Sequence, residues 1–178
     1  MKTICTTAVL ILVAFCAQAQ PNWRRELSNV TVLATERPRV ITADYGRTIG
    51  VAGFSYYKLN VNGEILWQKR LGAQSHLNDV ILLEDGSLLL VGRERRIINL
   101  IDKDVILVMR VEADGDVIWN RTYASTDWQL GGRCAAQAPD GSIYVGGWRS
   151  TQLNGTGAIS PLILKFDLDG NLIFGQFT

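Results

Sequence analysis

Apolar residues occur in short runs that end at Asp-Gly or Asn-Gly turns, and no useful helical periodicity follows the first nineteen residues. In the best-preserved stretch, four runs predict strands A to D near residues 80–83, 88–91, 105–111 and 117–123. Strands A and B are apolar at nearly every position, which is typical of strands covered on both faces. Strand D alternates between apolar and polar positions. The pattern predicts an all-β fold in which D is the outer, half-exposed strand.

This four-strand pattern is repeated along the chain. The three copies of its second half are KLNVNGEILW at residues 58–67, RVEADGDVIW at 110–119 and KFDLDGNLIF at 165–174. Its first half occurs as EDGSLLLVG at 84–92, as PDGSIYVGG at 139–147 and, in a worn form, at 44–53. Asp-Gly or Asn-Gly between apolar runs predicts a hairpin whose two central residues have positive φ. Each unit therefore contains two hairpins, and it buries its apolar face only by stacking on neighbouring units.

Four-stranded antiparallel units in series are typical of β-propeller blades. The order of a basic residue, an Asp/Asn-Gly turn and an apolar-Trp strand, followed by Asp-Gly-Ser and apolar-Gly-Gly, resembles the propeller-type repeats of secreted bacterial surface proteins. The resemblance covers roughly residues 23–174. It implies a propeller fold but no single function, because such repeats serve adhesion, scaffolding and substrate binding alike.

We expect three four-stranded blades, with repeat units at about residues 23–67, 67–119 and 119–174. Propellers usually close with about four to eight blades. The sequence therefore predicts a partial propeller or half-ring, which is either a truncated piece of a longer propeller or one half of a homodimer that closes a ring.

The first nineteen residues have the pattern of a secretory signal peptide. Lys2 precedes an apolar run at residues 8–17, and Ala17-Gln18-Ala19 supplies small residues at a cleavage site. The run is shorter than the roughly 20 apolar residues that a membrane-spanning helix needs. We expect cleavage after Ala19, a single mature domain at residues 20–178, and a secreted, cell-surface or periplasmic location without membrane insertion.

Charge and cysteine content narrow the choice of partners. The chain has 18 basic and 17 acidic residues and no basic block, so the composition excludes a nucleic-acid partner held by charge. Cys5 and Cys16 leave with the signal peptide, so Cys134 has no cysteine to pair with inside the mature chain. The alanines at positions 135 and 136 predict that Cys134 is buried.

Antiparallel strands place the A–B and C–D turns on one end of each blade, the turn face, and the B–C and D–A connections on the other, the loop face. The variable connections at residues 71–78, 93–104, 124–133 and 148–160 all belong to the loop face, where repeat proteins concentrate binding residues. The candidate binding residues there are Trp128, Trp148, Arg93, Arg95, His76 and Asp127. The two tryptophans either stack on a sugar or anchor a protein partner, or they pack the loops.

Catalytic and metal-binding patterns are weak. His76 is the chain's single histidine and has no nucleophile motif beside it, and one histidine with one cysteine does not make a usual zinc site. Residues 167–171 lack the ligand spacing of a calcium loop and predict an ordinary turn. The sequence predicts no catalytic residue, metal or cofactor, although the carboxylates of Asp79, Asp102, Asp104 and Asp127 near the loop face leave glycoside hydrolysis open.

The sequence favours a secreted, non-enzymatic propeller module that binds a protein or carbohydrate partner through its loop face. The alternatives are a propeller-based hydrolase or oxidoreductase, and a truncated fragment of a longer propeller without independent function.

Overall fold

The computed structural model describes residues 39–42, 47–151 and 158–177. The predicted signal peptide and residues 23–38 of the first predicted repeat unit lie outside these ranges. The strands, in chain order, are β1 (Arg39–Thr42), β2 (Thr48–Ala52), β3 (Ser55–Leu59), β4 (Ile65–Arg70), β5 (Ser75–Leu82), β6 (Leu88–Ile98), β7 (Ile101–Val111), β8 (Val117–Tyr123), β9 (Gln129–Gln137), β10 (Ile143–Ser150), β11 (Ile159–Phe166) and β12 (Leu172–Phe177). The described ranges include no helix with the length and apolar character needed to cross a bilayer.

The strands form three four-stranded antiparallel sheets, and each sheet is a meander in chain order. Blade 1 contains β1–β4, blade 2 contains β5–β8 and blade 3 contains β9–β12. The first strand of blade 2 packs against the first strands of both neighbours, so the A strands are innermost. The predicted all-β, propeller-like fold with three four-stranded blades is confirmed.

Two apolar cores fill the spaces between the blades. The first core joins Ile49, Val51 and Tyr56 of blade 1 to Leu77, Val80, Leu88, Leu90, Leu107, Met109 and Val111 of blade 2. The second joins Leu83, Leu89, Val91, Ile106 and Val108 of blade 2 to Leu130, Ile143, Val145, Leu162, Leu164 and Phe166 of blade 3. Successive residues of β6 therefore point into different cores. This is why the sequence of that strand is apolar at every position rather than alternating.

We call the side of each blade that faces the next blade in the chain its front, and the opposite side its back. In blade 2, Leu88 and Leu90 belong to the back, and Leu89 and Val91 belong to the front.

The turns differ from the predicted type. The φ angle is positive at the turn glycines, for example 83° at Gly86 and 87° at Gly115, but not at the aspartates that precede them. In the last hairpin of blade 2, the N–H of Gly115 donates to the carbonyl of Glu112 at 2.8 Å, and the N–H of Glu112 donates to the carbonyl of Asp116 at 2.8 Å. These features describe a type I turn followed by a glycine bulge, which also suits the right-handed twist of a hairpin.

The inner strands of blades 2 and 3 carry the same bulge. Asn78 is the extra residue in β5, and Arg133 is the extra residue in β9. The strand beside each bulge has a glycine there, Gly92 in β6 and Gly147 in β10. The bulge interrupts the apolar pattern of the A strand. The sequence therefore placed the start of this strand at residue 80, whereas β5 begins at Ser75.

Asp79 joins the three inner strands. Asp79 is only 2% exposed. One of its carboxylate oxygens accepts a hydrogen bond from Nε of Arg39 at 3.0 Å, and the other accepts one from the N–H of Ala135 at 2.9 Å. The sequence grouped Asp79 with the loop-face carboxylates. The structure instead buries it between β1, β5 and β9, where it holds blades together.

Cys134 is exposed, so the prediction that it is buried was wrong. Its neighbour Ala135 packs into the core between blades 2 and 3. Because successive side chains of a strand point to opposite faces, Cys134 lies on the front of blade 3, away from that core.

Candidate functional site

The connection predicted as a loop at residues 93–104 is a β-hairpin. Strand β6 continues to Ile98 and β7 begins at Ile101, so the two strands pair along their whole length. Their neighbours end earlier, because β5 pairs with β6 only as far as Glu94 and β8 pairs with β7 only as far as Ile106. Residues 95–104 therefore form a two-stranded arm that projects beyond the sheet on the loop face. We call them the hairpin arm.

Ion pairs and backbone bonds fix the base of the hairpin arm. Nη1 of Arg93 lies 2.7 Å from Oδ2 of Asp104, and the N–H of Asp104 donates to Oε1 of Gln129 at 2.6 Å. The N–H of Arg95 donates to the carbonyl of Gln74 in the connection between β4 and β5, at 2.9 Å. The arm is therefore tied to blade 3 and to the connection between blades 1 and 2.

A buried lysine adds a third attachment. The ammonium of Lys103 donates to the carbonyls of Ser125 and Thr126 in the connection between β8 and β9. Lysine is almost never buried unless its charge has partners, and these carbonyls supply them. The result is an arm with a rigid base.

The tip of the hairpin arm is apolar and exposed. Leu100 is 97% exposed, Ile97 is 77% exposed and Ile101 is 41% exposed. Asn99 and Leu100 both have positive φ, 51° and 64°. A leucine in this conformation is an outlier that costs about 1 to 2 kcal/mol. Strain of this kind often persists at functional sites.

The structure brings several predicted site residues together at the arm's base. His76 and Arg93 are directly paired across β5 and β6. Nε of Arg95 lies 3.6 Å from Oδ2 of Asp102 and 3.9 Å from Oδ1 of Asp104. All three candidates lie on strands rather than on loops.

The two tryptophans do not form an exposed pair. The guanidinium of Arg149 lies over the ring of Trp128, 4.4 Å from its centroid. Trp148 lies on β10 with its indole across Gly131, so that a Cβ on that glycine would be 2.5 Å from Nε1. Both tryptophans are partly buried. Trp128 packs against the core between blades 2 and 3, and Trp148 packs across its own sheet, so the two do not form an exposed aromatic pair.

The other loop-face carboxylates that the sequence singled out are Asp127 and the two aspartates of the hairpin arm. Asp127 is exposed in the β8–β9 connection, where its N–H donates to Oγ of Ser125 at 3.2 Å. Asp102 and Asp104 share Arg95 as an ion-pair partner. Within the described ranges, no group of three or more His, Cys, Asp or Glu side chains is placed to hold a metal ion.

The sequence missed the hairpin arm because its turn contains no glycine. A two-residue hairpin with positive φ at both positions normally shows Asn-Gly or Asp-Gly, whereas this turn is Asn99-Leu100. A weaker signal was present in one pair of opposite charges, since Arg95 pairs with Asp104 in the ladder.

Carboxylates on the turn face accept hydrogen bonds from groups in or beside their own turns. The hydroxyl and the N–H of Ser142 both donate to Oδ1 of Asp140, and Nζ of Lys165 lies 3.3 Å from Oδ2. These bonds lower the pKa of Asp140 to about 2, with the Ser142 hydroxyl as the largest cause. In the turn at residues 167–171, the side-chain amide of Asn171 and the N–H groups of Asn171 and Asp169 donate to the carboxylate of Asp167 and lower its pKa.

We expect Asp140 to titrate near pH 2 in NMR spectra of its carboxyl carbon. Its folded pKa lies below the unfolded value of about 3.9, so its contribution to stability is present above about pH 4 and is lost as the pH falls toward 2. Ser142→Ala should move the midpoint up toward the ordinary value. A midpoint near the ordinary value in the unmodified protein would contradict this prediction.

Comparisons with known proteins give structural similarity only. No family model matches the chain, and no curated protein matches it. One similar structure is a protein of unknown function from Bacteroides caccae, with a TM-score of 0.45 and 11% identity over 77% of this chain and 59% of that one. Another is a streptogramin B lyase, with a TM-score of 0.42 and 10% identity over 77% of this chain and 53% of that one. The chain thus spans less than two thirds of the length of either structure.

Proposed function

We propose that the protein is a secreted, non-enzymatic binding module whose loop face contacts a partner protein through the hairpin arm. The signal-peptide pattern at residues 1–19 supports secretion. The observation that carries the binding role is the apolar tip at Ile97 and Leu100, which is exposed on an arm with a rigid base. Apolar side chains held in this way suit insertion into a pocket of a partner, because little conformational entropy is lost on binding.

A protein fits this surface better than a membrane or a glycan. The hairpin arm contains three basic and two acidic side chains, and one of the basic ones, Lys103, is buried at its base, so the arm offers almost no net charge to an anionic lipid surface. A glycan would need exposed aromatic faces on which sugar rings could stack, whereas Trp128 and Trp148 are partly buried against other residues of the chain. The side chains of the apolar tip, Ile97 and Leu100, are more exposed than either tryptophan. Glycan binding through the two tryptophans is the second candidate.

Leu100→Gly is expected to separate binding from stability. Glycine adopts the left-handed conformation without strain, and the lost side chain makes almost no packing contact. The free energy of unfolding in urea should therefore rise by about 1 kcal/mol. Partner binding should fall at least about tenfold, as expected when an apolar anchor is removed. Unchanged partner binding together with higher stability would contradict the role of the tip.

The partner can be sought by photo-crosslinking. A photoreactive amino acid at Ile97 should give a discrete adduct with a protein of the source organism's extracellular fraction, whereas the same group at Val61, exposed near the turn face, should not. Excess unmodified protein should compete the adduct away, and excess Leu100→Gly should not. In parallel, a glycan array would favour the second candidate if binding there survives Leu100→Gly but disappears in Trp128→Ala and Trp148→Ala. Absence of both signals would contradict a loop-face binding role.

A further inference from the structure

Several side chains on the front of blade 3 are exposed, although the residues at the equivalent positions of blades 1 and 2 are covered by the next blade. Ile163 is 49% exposed and Phe174 is 42% exposed, and both lie beside Cys134, Tyr144 and Lys165 on this side of the sheet. We call these five residues the open face. Because the blades are repeats, each residue of the open face has an equivalent in blades 1 and 2. The contacts of those equivalents show what kind of group such a face binds.

In the first interface, side chains on the front of blade 1 contact the last turn of blade 2. Nζ of Lys58 donates to the carbonyl of Ala113 at 2.8 Å, and the hydroxyl of Tyr56 donates to the carbonyl of Gly115 at 3.1 Å. The indole of Trp67 lies over Gly115, only 3.1 Å from where a Cβ would be. A basic side chain therefore binds a turn carbonyl, and an aromatic ring covers the turn glycine.

The second interface uses the same positions. Nη1 of Arg110 and Nε1 of Trp119 both donate to the carbonyl of Leu168 in blade 3, at 3.1 and 3.0 Å. The indole of Trp119 lies over Gly170, 3.0 Å from the position of its Cβ. Gly170 also has a φ of 77°, so it is required both by the turn and by the ring above it.

The open face holds the same groups at the same strand positions. Lys165 occupies the position of Lys58 and Arg110, and it pairs with Asp140 at 3.3 Å just as Arg110 pairs with Asp85. Phe174 occupies the position of the two tryptophans and contacts only the edge of Tyr144 among ring partners in the described ranges, with 6.4 Å between centroids. Ile163 replaces Val108, which is buried against blade 3.

The inner strand of blade 3 can be compared with the inner strand of blade 2 in the same way. Cys134 occupies the position of Asp79, which accepts a hydrogen bond from the backbone of the next blade. The exposed thiol therefore marks the place where the inner strand of a following blade would lie.

We propose that the open face of blade 3 is a docking surface for a further blade of this repeat type, outside residues 39–177. That blade would place the carbonyl two residues before its turn glycine against Lys165, and the glycine itself under Phe174. A second copy of this chain, docking through the back of its blade 1, fits the open face less well. On the back of blade 1, Tyr57, Leu59 and Gly63 are already buried within the chain.

The test supplies a fourth blade and measures access to Cys134. A copy of residues 72–123, which contains no cysteine, is joined after Thr178 in a Cys5→Ser, Cys16→Ser background. Reaction of the remaining thiol with a thiol reagent should be at least about tenfold slower in the extended chain than in the unextended one, because docking buries Cys134. An equal rate in both chains would overturn the proposal.

Two variants of the extended chain show where the added blade sits. Ile163→Asp places a charge in the proposed interface and should restore fast labelling, while Val61→Asp, at a similarly exposed apolar position in blade 1, should leave the thiol protected. In the unextended chain, Ile163→Asp should not change the unfolding midpoint, since the side chain is exposed there. Protection that survives Ile163→Asp would overturn the proposed site. Protection of the unextended chain that grows with its concentration would overturn the proposed occupant and assign a second copy instead.

Discussion

Gly92→Ala is expected to lower the free energy of unfolding by about 3 kcal/mol or more, at the upper end of the cost of overpacking a core. A Cβ on Gly92 would lie 1.8 Å from the carbonyl oxygen of His76 and 2.9 Å from Cα of Leu77. Both of these atoms belong to the backbone of β5 at its bulge, so no rotamer change relieves the contact. The inner strand would have to move away from β6.

Urea unfolding of Gly92→Ala and Gly72→Ala gives the measurement with its control. A Cβ on Gly72 has nothing within 4 Å, so that variant should stay within about 0.5 kcal/mol of the parent. Gly147→Ala tests the same geometry in blade 3, where the added carbon would lie 2.2 Å from the carbonyl oxygen of Gly131. If both strand variants unfold at the parent's urea concentration, the bulges do not require glycine beside them.

The features that the sequence predicted well are local ones. Strand D of blade 2 was expected at residues 117–123, and β8 spans Val117–Tyr123. Turn glycines such as Gly86 and Gly141 lie where the Asp-Gly pairs predicted hairpins. A turn and its two flanking strands are specified by adjacent residues, so their positions can be inferred from one segment at a time.

The features that the sequence missed depend on residues far apart in the chain. The exposure of Cys134 follows from which side of blade 3 contacts blade 2, and no neighbour in the sequence reveals that side. The packing of Trp128 depends on Arg149, which lies on β10. The hairpin arm escaped prediction because Leu100 occupies a position where glycine is the usual signal.

For the candidate site, topology was more informative than residue type. Antiparallel order placed the variable connections on the loop face, and the hairpin arm does project there. Residue types suggested the tryptophans and arginines as binding groups. In the structure Arg93 and Lys103 fix the arm's base, and the tip carries two highly exposed apolar side chains, Ile97 and Leu100.

Asp79→Ala is expected to cost about 2 to 3 kcal/mol of unfolding free energy, because it removes two hydrogen bonds to a buried carboxylate. One of these bonds satisfies the N–H of Ala135 in blade 3, and the other is an ion pair with Arg39 in blade 1. The side chain of Arg39 is largely exposed and can be solvated when the pair is broken. Most of the loss should therefore come from the unpaired N–H and from the cavity between the inner strands.

A graded series at this position tests whether Asp79 links the blades. Asp79→Asn keeps an oxygen for the N–H of Ala135 but loses the charge that attracts Arg39, so its urea midpoint should fall between those of the parent and the alanine variant. Asp102→Ala is the matched control, since it removes an exposed carboxylate that also pairs with an arginine, and it should change stability by no more than about 0.5 kcal/mol. Because the carboxylate connects three strands, Asp79→Ala should also speed hydrogen exchange at Ala135 in the next blade. Equal exchange rates at Ala135 in the parent and Asp79→Ala would show that the carboxylate does not hold blade 3 to blade 2.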